Sequence, residues 1–315
     1  MHLTPTHLQK LLLDPAAHPR GQPHLSAASG LVRVGAWLYL VADDEHHLGL
    51  LPAAAAAAAA VQPQSQAPLV QLHRILPGDL PADTGARKKR KPDLEALVLL
   101  PASPAHPNGA LLALGSGSKP QRQRGVTIAL DAAGRPAGAA QVVDLTALYT
   151  PLRAEFADLN IEGAFVANEE LHLLQRGNKG DARNACITYA LAPLLAWLSG
   201  TLAEPPAALR TTLFDLGTVD GVPLGFTDGA ALPAGQGGWL FSAVAENTDD
   251  SYADGECVAS AIGWVDADGV LQRMAALEGA PKVEGIALDE ERRLLMVTDA
   301  DDPARASRLL VVELD

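Results

Sequence analysis

Cysteine is nearly missing from this 315-residue chain: Cys186 and Cys257 are the whole complement, each inside an apolar strand-like segment (ACITYAL and CVASAIGWV). The absence of C-x-x-C spacing excludes the usual thiolate zinc and redox sites and predicts two buried free thiols. No apolar run of about 18 residues is present to span a bilayer, so no membrane partner is expected. The N-terminal MHLTPTHLQKLLLDPAAHP has no basic n-region followed by an apolar h-region and a small-residue cleavage site, and a cytoplasmic location is expected. Basic excess is lacking too. A formal net charge of −13 argues against nucleic-acid binding, which needs a basic face to displace condensed counterions. There is no G-x-S-x-G elbow, and GSGSKPQRQRG lacks the spacing of a P-loop.

What the chain has is a globular composition, 48% hydrophobic and 19% charged, and an internal repeat. Five segments follow one template, in which an acidic or hydroxyl residue precedes a small residue, a short apolar strand, a turn and a second apolar strand. They are SGLVRVGAWLYLVADD from Ser29, EALVLLPASPAHPNGALLALGSGSK from Glu95, EGAFVANEELHLLQRGNK from Glu162, DGAALPAGQGGWLFSAVAEN from Asp228 and EGIALDEERRLLMVTDADD from Glu284. Successive starts lie 66, 67, 66 and 56 residues apart, and 60 residues lead from Glu284 through the C-terminus round to Ser29. A period that closes on itself suits a ring better than an open solenoid, which needs capping repeats. The expected fold is therefore all-β, one domain over residues 1–315: a five-bladed β-propeller with four-stranded antiparallel blades. Six blades with one degenerate unit is the alternative.

In the second unit Leu97–Leu100, Ala110–Leu114, Val126–Leu130 and Ala140–Val143 read as strands A to D. In the fourth, a short first strand is followed by Trp239–Ala245, Cys257–Val265 and Val270–Ala275. The last unit has three strands, ending in RLLVVELD, and the N-terminal HLQKLLL is expected to supply its outer strand and close the ring. Two stretches fall outside the repeat. LLPAAAAAAAAVQPQS at 50–65 reads as a surface insert or short helix, and Arg87 to Lys91 as a solvated loop.

The innermost strand of each blade lines the central channel, so Ser29, Glu95, Glu162, Asp228 and Glu284 are expected to ring its mouth. Converging carboxylates repel and raise one another's pKa unless compensated. A cation is one compensation, and hard oxygen ligands favour Ca²⁺, with Mg²⁺ second. The other is that these side chains turn sideways and accept hydrogen bonds from backbone N–H groups of the next blade, without metal.

A ring reading Ser, Glu, Glu, a short polar residue and Glu, with about 60 residues per blade, resembles the calcium-activated nucleotidase (soluble apyrase) family. The resemblance implies a five-bladed propeller with a central Ca²⁺ that hydrolyses nucleoside di- and triphosphates. It implies Ser29, Glu95, Glu162 and Glu284 as metal ligands, with Asp228 where the family has a serine. The segments VEGIALDEERRLLMVTDADDP and LNIEGAFVANEELHLLQRGNKG also look like phytase-like bacterial propellers of unassigned activity.

Loops joining strands B and C are expected on the same face as the ring, and they are unevenly charged. Blades 2 and 3 contribute a basic set including Lys119, Arg122, Arg124, Arg176, Lys179 and Arg183; blades 4, 5 and 1 contribute acids including Glu246, Asp249, Asp250, Asp299, Asp301 and Asp43. Arg176 ends an inner strand and can grip an oxyanion bidentately. The leading expectation is a monomeric metal-dependent hydrolase of a small anionic substrate, such as a phosphoester or phosphoanhydride, in which Arg176 and Lys119 neutralise developing charge. The alternative is a non-catalytic propeller that binds a ligand or protein around a structural cation.

Overall fold

The structure, a computed structural model, describes residues 2–54, 67–233, 235–247 and 256–314. Most of the alanine-rich stretch, and Asp249 and Asp250, lie outside the described residues. Five antiparallel sheets stand around one axis, each with its first strand innermost. Blade 1 is built from Ala28–Val34, Trp37–Ala42, His47–Pro52 and Gln71–Arg74. Blade 2 is Leu94–Leu100, Ala110–Gly115, Arg124–Ala129 and Gln141–Asp144. Blade 3 is Ile161–Ala167, Glu170–Gln175, Asn184–Ala190 and Arg210–Phe214.

Blade 4 is Val222–Ala231, Trp239–Asn247, Glu256–Val265 and Leu271–Leu277. Its first strand is ten residues long, where the sequence suggested a short one, because the chain turns back at Asp220 and Gly221 and pairs Thr218–Val219 with the strand's start. Blade 5 takes Val283–Leu288, Leu294–Thr298 and Arg308–Val312 from the C-terminus and Thr6–Lys10 from the N-terminus. That last strand is the closure expected from HLQKLLL. Not foreseen is the parallel pairing of His2–Leu3 with Ala276–Leu277, which fastens the same chain end to blade 4.

No single core exists. Alternate residues of each strand face opposite sides of the blade, so apolar side chains fill five wedges between neighbouring blades. Tyr39 and Leu111 belong to the wedge between blades 1 and 2; Tyr149, Phe156 and Leu173 to that between blades 2 and 3; Phe226 and Phe241 to that between blades 3 and 4. Met296 and Ile262 fill the next, and Leu8 and Leu40 the one across the closure. The helix Thr146–Glu155 turns Leu148, Tyr149 and Leu152 into the second wedge. Among the described residues no helix is long and apolar enough to cross a membrane.

The inner strands approach so closely that the small residue of the repeat is obligatory. A Cβ on Gly163 would lie 2.6 Å from Asp228 Cα, and one on Gly285 would lie 2.1 Å from the Ser29 carbonyl. The E-G pairs of the sequence thus record the contact of neighbouring backbones at the axis.

Candidate active site at the channel mouth

Each ring residue sits at a β-bulge. In blades 2, 3 and 5 the register skips Glu95, Glu162 and Glu284, and in blade 1 it skips Ser29 and Gly30. A residue left out of the ladder bends the strand and re-aims its side chain, here into the channel mouth. In blade 4 the skipped residue is Thr227, not Asp228. The D-G dipeptide mimics the E-G pairs, but the true counterpart of the glutamates stands one place earlier. The Thr227 hydroxyl donates to the Val283 carbonyl at 2.8 Å and lies 2.7 Å from Ser242 Oγ.

Asp228 occupies the position that is Gly or Ala in the other blades, and its carboxylate fills the axis beneath the ring. Gly229 N–H donates to Oδ1 at 2.8 Å and Ile286 N–H to Oδ2 at 2.9 Å. Burial pushes this carboxyl well up, against the pull of the backbone N–H groups of Ile286, Gly229, Leu31 and Ala164. These four donors come from blades 5, 4, 1 and 3. For Asp228, then, the metal-free compensation is the one the geometry displays.

The remaining ring residues face a cavity of about 620 Å³ at the mouth. Ser29 donates to Glu95 Oε2 at 2.9 Å, and Asn160 Nδ2 donates to Glu162 Oε1 at 2.5 Å. Burial and the charges of Asp93 and Glu162 hold Glu95 well above the usual carboxylate range. Burial also raises Glu162 and Glu284, although Arg176 and Lys282 oppose it. Glu284 Oε2 is buried and meets no hydrogen-bond donor among the described residues.

The compensating cations come from the protein itself. Arg176 crosses Gly225, where a Cβ would strike its Cγ at 2.8 Å. It ends 2.5 Å from Glu246, 3.7 Å from Glu162 and 3.9 Å from Glu284. Lys282 lies 2.5 Å from Asp301, 2.7 Å from Glu246, 3.2 Å from Asp299 and 3.6 Å from Glu284. Burial would lower Lys282, but Asp299, Glu284, Glu246 and Asp301 hold it well above its ordinary value. Glu246 would be raised by burial and is instead held at about 2 by Arg176 and Lys282.

On the other side, Lys91 pairs with Asp43 and sits 2.9 Å from Asp93, which Arg122 meets at 2.7 Å. Burial pushes Asp43 up to about 7. The stretch expected as a solvated loop is a helix, Thr84–Arg90, capped by Asp83. Its Arg87 is buried against Asp44 at 2.9 Å, and Lys91 follows directly into the cavity.

Of the two residues expected to neutralise charge, Arg176 is at the floor among carboxylates and Lys119 is exposed at the rim, both lining the cavity. Arg183 points elsewhere, over the Phe156 ring and onto Asp181. Sequence reasoning passed over Lys91, Asp93, Asn160 and Lys282. Three of them carried a signal: Asp93, Asn160 and Lys282 each stand two residues before a ring glutamate, directly ahead of an inner strand.

Within the predicted ring, Asp228 accepts from backbone N–H groups and Arg176 stands between Glu162 and Glu284. Among the described residues the acids close enough to share an ion are Asp43, Asp93 and Glu95, whose oxygens lie within 4.8 Å of one another. Lys91 already touches two of them.

Residues 87–303 match the family described as "Family of unknown function (DUF6910)". No curated protein matches the sequence. In structure the chain is similar to glutaminyl cyclase of Myxococcus xanthus, at 12% identity and a TM-score of 0.48, covering 100% of this chain and 99% of the other. It is also similar to the α-L-arabinofuranosidase PaAbf62A from Podospora anserina, at 11% identity and a TM-score of 0.49, covering 100% and 97%.

Proposed function

The chain belongs to that family, DUF6910, and we propose that its channel mouth hydrolyses a small substrate bearing an anionic group, such as a phosphoester. The observation that carries the reading is that Glu95 and Glu162, on neighbouring inner strands, line one cavity in which burial, Asp93 and Glu162 raise Glu95 while burial, Asp93 and Glu246 raise Glu162. Of two carboxyls raised in one cavity, one can stay protonated as the acid while the other serves as the base. Glu95, held up more strongly, gives its proton to the leaving-group oxygen. Glu162, oriented by Asn160, takes a proton from the attacking water. Lys119 at the rim offsets the charge that develops on the anionic group, and Arg176, bound to Glu246 at the floor, stands beside Glu162.

A second reading keeps the expected divalent cation but moves it to Asp43, Asp93 and Glu95, the acids grouped closely enough to hold one. Lys91 would then have to leave Asp43 and Asp93. Hard-oxygen chemistry there suits Ca²⁺ or Mg²⁺, which would supply Lewis acidity beside Glu95.

The test is hydrolysis of a panel of phosphate monoesters, diesters and anhydrides, with and without EDTA. EDTA-resistant turnover that is lost in both Glu95→Gln and Glu162→Gln, with the fold retained, is the expected result. Turnover abolished by EDTA and restored by Ca²⁺ transfers the reading to the cation. No turnover on any ester, or undiminished turnover in both variants, leaves the non-catalytic binding propeller.

A further inference from the structure

The floor of the cavity holds more negative charge than its cations can meet at close range. Arg176 and Lys282 spend their short contacts on Glu246 and Asp301, at 2.5 to 2.7 Å, and reach Glu284 Oε1 only at 3.9 and 3.6 Å. Glu284 is 5% exposed, it lines the cavity, and its Oε2 has no donor among the described residues. A buried carboxylate oxygen without a donor costs free energy that a bound donor recovers. Towards the outside the cavity is lined by the lysines Lys119 and Lys179, both exposed, and Lys88, half-buried.

From this polarity we infer that the ligand is zwitterionic, a small molecule whose primary ammonium group is received by Glu284 at the floor while its anionic group faces the lysines of the rim. An ammonium supplies up to three donors and relieves the repulsion among Glu284, Glu162 and Glu95. A phosphate or carboxylate alone would meet the rim and leave the floor unsatisfied. The inference rests on the hydrolase reading for the anionic end of the substrate, and on Glu284 for the other end.

The experiment compares O-phosphoethanolamine with 2-hydroxyethyl phosphate, which replaces the ammonium by a hydroxyl, by calorimetric titration in EDTA. The amino compound is expected to bind at least about tenfold more tightly, with the preference lost in Glu284→Gln while a thermal melt shows that variant folded. If Glu284→Gln does not fold, the preference of the unaltered protein for the amino compound carries the test. Equal affinities, a preference that survives in Glu284→Gln, or no binding of either compound overturns the inference. Turnover of both phosphates at equal rates would sink the ammonium assignment and leave the hydrolase. An ammonium preference without turnover would do the reverse.

Discussion

Asp228→Asn is the sharpest probe of how the ring is held. The two carboxylate oxygens accept from Gly229 at 2.8 Å and from Ile286 at 2.9 Å, and the substitution preserves shape while turning one acceptor into a donor. Whichever way the amide turns, one N–H loses a charged acceptor and faces an NH₂ group. A hydrogen bond to a charged group is worth about 1.5–3 kcal/mol, and a buried donor left unpaired costs about 1–3 kcal/mol, so the overall loss should be about 2.5–6 kcal/mol. For a large domain that is roughly a 5–24 °C fall in Tm, at about 2–4 °C per kcal/mol. Thermal and urea melts at pH 7.5 would measure it, with an unchanged urea m-value showing that the unfolding transition is the same one. A loss under about 1 kcal/mol, or a gain in stability, would refute the argument. It would mean that the carboxyl, raised by its burial, is carried as a neutral acid at pH 7.5 and that the N–H groups never faced a charged acceptor.

Other perturbations separate the remaining parts of the site. Glu95 is raised in the folded state, so the folded protein holds its proton longer than the unfolded chain, and its contribution to stability is lost as pH rises above the usual carboxylate range. Glu95→Gln should therefore raise Tm at pH 8 and change it little at pH 4; a lower Tm at pH 8 contradicts this. Lys91→Ala should leave Asp43, Asp93 and Glu95 facing one another, lower Tm in EDTA, and create a Ca²⁺-dependent recovery. Absence of that recovery would show that the three acids are not a cation site even when vacated. Gly285→Ala should destabilise by about 1–3 kcal/mol, since its Cβ would meet the Ser29 carbonyl at 2.1 Å; a neutral outcome in a urea melt would mean that blades 5 and 1 can move apart.

Much of this architecture was legible because the repeat is written in spacing. Ser29, Glu95, Glu162 and Glu284 mark bulges at the same point of four blades, and the N-terminal strand completes the fifth as its pattern suggests. Blade 4 misleads because what defines the ring position is the ladder register, and a bulge leaves no composition of its own. Asp228-Gly229 looks like the other pairs, yet Thr227 is the residue the ladder skips. The helix at 84–90 was hidden for a different reason: RKKRK reads as solvated until Asp44, Asp43 and Asp93 are seen to face it. Long-range charge pairing has no local signature. By contrast Asp93, Asn160 and Lys282 were within reach of the repeat itself, each standing two residues before a ring glutamate.

The strand Thr6–Lys10 completes a blade whose other strands lie at 283–312, yet it is synthesised before blade 1 begins. While the four intervening blades are made, this strand must wait with its ladder groups unpaired. The first wedge to begin, between blades 5 and 1, is consequently the last to be finished. Nor can the cavity exist in a partial chain, since Lys282, Glu284 and Asp299 arrive only with the final blade. Binding at the channel mouth is thus possible only once the blade that joins Thr6–Lys10 to Arg308–Val312 has been made.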